Sequence, residues 1–340
     1  MRILVTGSAG FIAGYVVSEL LARGHDIVGI DNFSKYGPVT KVYDDHPRYH
    51  LVRGDCKDVR LMTELAQGCD QIIAGAAMIG GIAYFHSYAY DLLAENERIA
   101  AATFDAAIAA FRTGTLKKIN VLSSSMVFES TTMFPTPEGD QRRSAPPLST
   151  YGFQKLAIEY FAKGAFEQYG LPYTIIRPFN CVGLGEGRAL GEIEVMSGNF
   201  KLAMSHVLPD LAQKALHGQD PLHILGDGSQ VRSYTNGADL ARGIALCVEK
   251  PEADNEDFNL STPRQTSVLE LAEIVWREVN GRRRFTWVSD PPFEYDVQLR
   301  VPDVSKARSV LGFETQISLE ESVAQVVDWC RSANCVAVAD

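Results

Sequence analysis

The sequence predicts an α/β protein: a doubly wound parallel sheet in the first half, joined to a smaller mixed α/β lobe toward the carboxyl end. Three observations predict it. Short apolar runs alternate with helical patterns as far as Arg177, as β-α-β units require. A glycine turn, Gly7-Ser-Ala-Gly10, joins the first run to the first helical pattern. Strict alternation ends after Arg177-Pro178, where a glycine-rich stretch soon begins.

Arg2 to Thr6 is expected as a buried strand, Phe11 to Arg23 as an amphipathic helix and His25 to Ile30 as a second strand. Tyr49 to Val52, Gln71 to Ala74, Lys118 to Ser123 and Tyr173 to Arg177 follow as strands, with long helices over Asp91 to Arg112 and Tyr151 to Tyr169. Alanines at 100, 101, 102, 106, 107, 109 and 110 in the first long helix would let another helix approach closely, and they equally raise helix propensity. Pro135, Pro137, Pro146 and Pro147 between Thr131 and Ser149 predict a loop that ends at the helix carrying Tyr151. The glycine-rich segment from Gly183 to Gly198 reads as a long loop of the kind that covers a ligand. Residues 1–178 are therefore expected as the sheet domain, to which the chain returns at about 233–262 through Asp257-Phe-Asn-Leu260. Residues 179–232 and 263–331 are expected as the second lobe, and 332–340 as a tail.

Composition is that of a soluble globular chain: 340 residues, 46% hydrophobic and 22% charged. A net charge of -10 argues against nucleic acid or an anionic membrane as the main partner. Cys56, Cys69, Cys181, Cys247, Cys330 and Cys335 form no CxxC and no metal-ligand spacing, so buried free thiols and no metal are expected. Ile3-Leu4-Val5 is too short an apolar run for a secretion signal, and no later stretch reaches the roughly 18 apolar residues of a membrane span. A cytoplasmic location is the expectation.

Gly7-Ser-Ala-Gly10-Phe-Ile-Ala13 follows a strand and opens a helix, the context a dinucleotide site of the Rossmann type needs. Gly7 allows the tight turn. Gly10 lets backbone N–H groups approach a pyrophosphate at the positive end of the helix. Asp31 ends the second strand, where its carboxylate can accept from ribose hydroxyls and would repel a 2′-phosphate, which selects NAD over NADP. Asp31-Asn32 is also good turn chemistry. Asp55, in Val52-Arg-Gly-Asp55, either reaches the adenine or simply closes a turn.

Ser123-Ser-Ser125 ends the fifth strand, at the sheet edge where ligands of open α/β folds bind. Tyr151 and Lys155 are spaced to share one helix face a turn apart. A free phenol titrates near about 10, so a neighbouring cation must favour its phenolate before it can act as a base. Lys155 supplies one. A serine hydroxyl would orient the substrate oxygen and stabilise its developing charge.

These residues resemble the extended short-chain dehydrogenase/reductases, in particular their nucleotide-sugar epimerase/dehydratase family. The resemblance runs through Thr6 to Ile12, Arg53-Gly-Asp55, Ala76-Ala77, Asn96 and Tyr151/Lys155. It continues in Arg177-Pro-Phe-Asn180, Gly226-Asp-Gly-Ser-Gln-Val-Arg232 and Asp303 to Gly312. It implies an NAD-dependent enzyme in which Ser124, with Ser125 as the alternative, acts beside Tyr151 and Lys155. The implied NAD-binding set is Gly7, Gly10, Phe11, Ile12, Asp31, Asn32, Asp55, Cys56, Ala76, Tyr151 and Lys155. Ser124, Ser125, Asn180, Arg232 and Arg300 are the implied contacts to a nucleotide-diphosphate sugar. The family commonly dimerises by packing its two long helices into a four-helix bundle, so a homodimer is expected.

Members of the family first oxidise a sugar carbon, usually C4, and diverge afterwards. The dehydratases carry Asp-Glu after the catalytic hydroxyl residue, where this chain has Ser125-Met126. The decarboxylases carry a glutamate, and the 3,5-epimerases a cysteine, at the Met126 position. The expected reaction is therefore 4-epimerisation by hydride return, with dehydratase, decarboxylase and 3,5-epimerase as alternatives. Glu129, His86 and Glu192 are the first candidates for any additional acid. An NAD-sensing binding protein is disfavoured, because a sensor has no use for Ser124, Tyr151 and Lys155. Phe128-Glu129 stands where Tyr-Gly is usual, and Ala74-Gly-Ala-Ala77 where His-Leu-Ala-Ala is usual.

Overall fold

The computed structural model describes residues 1–80, 87–187, 190, 195–198, 200–202, 206–292 and 297–332. The first half forms β1 (Arg2–Thr6), α1 (Phe11–Ala22), β2 (Asp26–Asp31), β3 (Tyr49–Arg53), α2 (Val59–Ala66) and β4 (Gln71–Ala74). Then come α3 (Ala89–Arg112), β5 (Lys118–Leu122), α4 (Thr150–Tyr169) and β6 (Tyr173–Pro178). These strands lie in the order β6-β5-β4-β1-β2-β3, all parallel, with Ile3 opposite both Ile27 and Gln71. Strand order reverses between β1 and β4, which opens a crevice at their carboxyl ends.

The second half contains β7 (Cys181–Val182), β8 (Val195–Ser197), β9 (Phe200–Leu202), α5 (Val207–Leu216), β10 (Leu222–Leu225), β11 (Val231–Arg232) and β12 (Thr235–Asn236). It continues through α6 (Gly237–Glu249), β13 (Glu256–Leu260), β14 (Thr266–Ser267), α7 (Val268–Asn280), β15 (Trp287–Asp290), β16 (Leu299–Arg300) and α8 (Leu319–Arg331). β13 adds to the main sheet beside β6. The remaining strands form small sheets, among them β11 between β14 and β16.

The strands are apolar on both faces because both faces are covered. On one, Val16, Val17 and Leu20 of α1 meet Leu240 and Ile244 of α6. On the other, Ala100, Ala106 and Ala107 of α3 meet Ile158 and Ala162 of α4. The alanine stripe is thus consumed within the chain, where α4 is the closely approaching helix and Phe104 stacks on Phe161 at 5.7 Å. A third cluster, built around Leu211, Ile224, Trp276 and Val326, belongs to the second half. α8 begins with a reciprocal cap, in which Ser318 Oγ accepts from Glu321 N at 3.1 Å and Glu321 Oε2 accepts from Ser318 N at 2.8 Å. Among the described residues no helix is long and apolar enough to cross a membrane.

Candidate active site

A cleft of about 1150 Å³ lies at the carboxyl edge of the sheet and extends to α5, β10, β11 and β16. Its floor begins at Gly7, whose φ of +71° is a left-handed conformation. A Cβ on Gly7 would stand 2.9 Å from Ala76 Cα, so only hydrogen fits. Gly75 N and Ala76 N both donate to Thr6 Oγ1 at 3.0 Å, which locks the end of β4 to the end of β1. Gly10 is the N-cap of α1 and offers no side chain to the first-turn N–H groups. That arrangement suits an anion.

Asp31 ends β2 and holds the loop itself: Oδ2 accepts from Ala9 N at 3.0 Å and Oδ1 from Phe33 N at 2.7 Å. Each oxygen keeps a further lone pair, so the turn contacts leave the carboxylate able to accept from a ribose hydroxyl. Asn32 Oδ1 accepts from Ser34 N at 3.0 Å, and Asp55 Oδ1 from Lys57 N at 2.9 Å. Phe11, Ile12, Asn32, Asp55, Cys56 and Ala76 all line the cleft. Burial pushes the Cys56 thiol up to about 12, which makes it an inert wall. The loop, the carboxylate and the cleft volume fit a dinucleotide.

Tyr151 stands in the first turn of α4, capped by Ser149 Oγ, which accepts from Gly152 N at 3.0 Å. Tyr151 and Lys155 are each 6% exposed, and the Lys155 ammonium lies 5.9 Å from the Tyr151 ring centroid. Lys155 Nζ donates to Leu122 O at 3.1 Å. Burial lowers its pKa to about 8. Burial raises the Tyr151 phenol, against the opposing pull of a hydrogen bond with Ser124 and the charge of Arg300.

The three serines separate by partner. Ser123 Oγ donates to Glu159 Oε1 at 2.7 Å. Ser124 bonds to Tyr151 and also accepts from Met126 N at 3.2 Å. Ser125 is 2% exposed on the cleft wall. Glu129, a candidate acid by sequence, serves as a brace: Oε2 accepts from Ser149 N at 2.9 Å and Ser149 Oγ at 2.8 Å, anchoring the start of α4. His86 and Glu192 lie outside the described residues. Leu92, Met126, Ile79 and Val297 pack around Tyr151 as an apolar wall. Asn96 holds that wall through Met78, accepting from its N at 2.7 Å and donating to its O at 2.9 Å.

Arg232 of β11 and Arg300 of β16 are register partners on adjacent parallel strands, and both line the cleft. Arg232 is 5% exposed, and its Nη1 donates to Val231 O and Gln298 O at 2.9 and 3.1 Å. Asn180 has a φ of +34°, and its buried Nδ2 has no hydrogen-bond partner among the described residues. Among the cleft residues that the sequence reading does not single out are Glu186, His206 and Lys214. Lys214 is 2% exposed and donates to Ser197 Oγ at 2.7 Å and His223 O at 2.8 Å. Burial lowers its pKa to about 8. Their only local signals are a glutamate inside a glycine-rich loop and ionisable residues at the start and inner face of a helix.

The chain matches the NAD dependent epimerase/dehydratase family over residues 3–261. It is 29% identical over 347 residues to the UDP-glucose 4-epimerase of Halalkalibacterium halodurans, covering 97% of this chain and 95% of the relative. It is 28% identical over 339 residues to UDP-glucuronic acid decarboxylase 1 of Arabidopsis thaliana, covering 98% of this chain and 70% of the relative. The crystal structure of UDP-glucose 4-epimerase from Thermotoga maritima with UDP-glucose superposes with a TM-score of 0.80 at 27% identity, covering 98% of this chain and 100% of that one. The chain belongs to the NAD dependent epimerase/dehydratase family and is an NAD-dependent nucleotide-sugar enzyme.

Proposed function

We propose that this protein is a nucleotide-sugar 4-epimerase that oxidises the sugar transiently at C4 and returns the hydride to the opposite face. The observation that supports it best is the pairing of Ser124 with Tyr151 against an apolar wall that includes Met126, where related chemistries place an acid. When bound between the Gly7–Gly10 turn and Asp31, NAD supplies the hydride acceptor and the returning hydride. Tyr151 takes the C4 hydroxyl proton as the carbonyl forms and gives it back as the alcohol reforms. Burial works against the phenolate, and the Lys155 ammonium lowers its cost. Ser124 donates to the sugar oxygen and fixes its position.

Arg232, Arg300 and Asn180 hold the diphosphate. Two planar guanidinium groups side by side suit two adjacent phosphates. The segments 179–232 and 263–331 serve as the substrate lobe. The protein acts as a homodimer through α3 and α4, a reading supported by the exposure of Phe153, Tyr160, Phe166 and Tyr169 at 47%, 63%, 40% and 39%. Phe153, Tyr160 and Tyr169 line a groove of about 620 Å³ with Ile108.

The test is incubation with UDP-, GDP-, dTDP- and CDP-sugars followed by NMR of the products. A C4 isomer is expected. A dehydrated or decarboxylated sugar overturns the reading. Tyr151→Phe should lower turnover by at least about 100-fold while NAD stays bound.

A further inference from the structure

We propose that Tyr15 is a positioning residue: from outside the cleft it fixes residues 180–186, one wall of the nucleotide-sugar site, against the helix that opens at the cofactor turn. The proposal rests on the nucleotide-sugar reading of the cleft and is independent of whether the product is a C4 isomer.

Tyr15 lies on α1 four residues after Phe11, so the two side chains share one helix face. Their rings meet edge to face, with centroids 5.8 Å apart. Phe11 lines the cleft together with Gly7 and Gly10, and Tyr15 does not. The Tyr15 hydroxyl instead accepts from Leu184 N at 2.5 Å. Leu184 stands between Cys181 and Glu186, both of which line the cleft. Its side chain is exposed, so the backbone bond to Tyr15 is what anchors this point of the chain.

Two glycines make the socket for the tyrosine ring. A Cβ on Gly183 would overlap the Tyr15 hydroxyl, and a Cβ on Gly237, the first residue of α6, would stand 2.5 Å from ring carbons Cδ2 and Cε2. No other residue type fits at either place without moving the ring. The ring therefore sets how closely the end of β7 and the start of α6 approach α1. β7 is also tied to β12, with Cys181 opposite Thr235 and Thr235 N donating to Asn180 O at 3.1 Å. Asn180, whose buried Nδ2 has no hydrogen-bond partner among the described residues, is thus held at its own carbonyl by β12 and four residues later by Tyr15.

The consequence is geometric. Hydride transfer needs the sugar and the nicotinamide in register, and a misplacement of about 1 Å costs about 100-fold in rate. With the cofactor turn at the start of α1 and the post for the substrate wall one turn later, both ligands are referenced to a single helix. Burial pushes the Tyr15 phenol up to about 12, which suits a hydrogen-bonding post and not an acid or base.

The experiment titrates UDP, GDP, dTDP and CDP by calorimetry into the full chain loaded with NAD. Tyr15→Phe keeps the ring and removes the acceptor; Gly237→Ala keeps the acceptor and drives a methyl into the ring. Each variant should bind the diphosphate that the wild type prefers about tenfold more weakly, with NAD affinity and melting temperature unchanged. Hydrogen exchange followed by mass spectrometry should show faster exchange in the peptide containing Leu184. In a Tyr15→Ala background Gly237→Ala should have no further effect, because the ring it strikes is gone. Unchanged diphosphate affinity in folded Tyr15→Phe overturns the proposal and leaves the nucleotide-sugar reading standing. So does a loss of diphosphate and NAD affinity in parallel with melting temperature, the mark of a residue that only supports the fold. A wild type that binds none of the four diphosphates overturns the nucleotide-sugar reading of the cleft and the proposal together.

Discussion

Arg177 of β6 and Glu159, one turn beyond Lys155 on the helix that presents Tyr151, meet twice, at 2.7 and 2.9 Å, with both side chains fully buried. Arg177 also donates to Asp257 at 2.8 Å, and Asp257 accepts from Lys306 at 2.9 Å. Burial opposes the guanidinium charge, but Glu159 and Asp257 outweigh it and raise the Arg177 pKa. Because Glu159 also accepts from Ser123, this network ties the serine turn, α4, β6 and β13 into one unit.

Removing the arginine leaves a carboxylate buried without its main counter-charge. Arg177→Met is expected to destabilise the fold by about 3–5 kcal/mol, because the unpaired charge, not the lost attraction alone, sets the cost. Urea unfolding measures it. A loss below about 1 kcal/mol would show that the network is dispensable.

Lys155 sets a second prediction, with a definite pH sign. Its folded pKa is lowered from 10.5 to about 8 by burial, so between those values the unfolded chain binds the extra proton and this group's contribution to stability rises with pH. Below about 8 both states are protonated and the cost of the buried charge is constant. Lys155→Met should therefore be the more stable protein at pH 7, by about 3 kcal/mol, although it turns over poorly. The advantage should shrink as pH rises through 8 to 10.5. Paired unfolding curves at pH 7 and pH 10 check this, and a difference that grows with pH contradicts it.

Gly7→Ala should weaken both the fold and the cofactor site. The added methyl meets the Ala76 backbone at 2.9 Å in a conformation with φ of +71°. The conformation alone costs about 1–2 kcal/mol, and relieving the contact must part β1 from β4. The expectation is a lower melting temperature and at least about tenfold weaker NAD binding by fluorescence titration. Wild-type affinity in this variant would remove Gly7 from the cofactor site.

The proposed dimer is tested on α4. Phe153→Glu combined with Tyr160→Glu places charge on an exposed apolar face without touching the Ala162 side of the helix. Light scattering should find a dimer for the wild type and a monomer for the variant. A wild-type monomer at micromolar concentration would leave that face without its proposed occupant.

Much of the fold was legible because its signals are local. The alternation of apolar runs, the Gly7–Gly10 turn and the four-residue step from Tyr151 to Lys155 each lie within a few turns of chain. Backbone propensity and helical spacing act over that range. The observed strands and long helices match the expected ones to within one or two residues, and Asp31 closes β2 as expected.

Other features depend on contacts between distant segments. Sequence supplied three adjacent serines, of which only the family resemblance put Ser124 first; Glu159 claims Ser123 and Tyr151 meets Ser124 only once α4 docks on the sheet. Glu129 looked like a spare acid and is a brace for Ser149, 20 residues on. Arg232 and Arg300 become neighbours only through the pairing of β11 with β16. Sequence by itself determined that this chain has a dinucleotide turn, a parallel sheet and a phenol beside a lysine. Tertiary structure decided which hydroxyl meets that phenol, which charges are buried as braces, and that Glu186 and His206 line the same cleft. The reason is physical: burial and charge pairing are set by segments far apart in sequence, and they decide which ionisable groups remain available for chemistry.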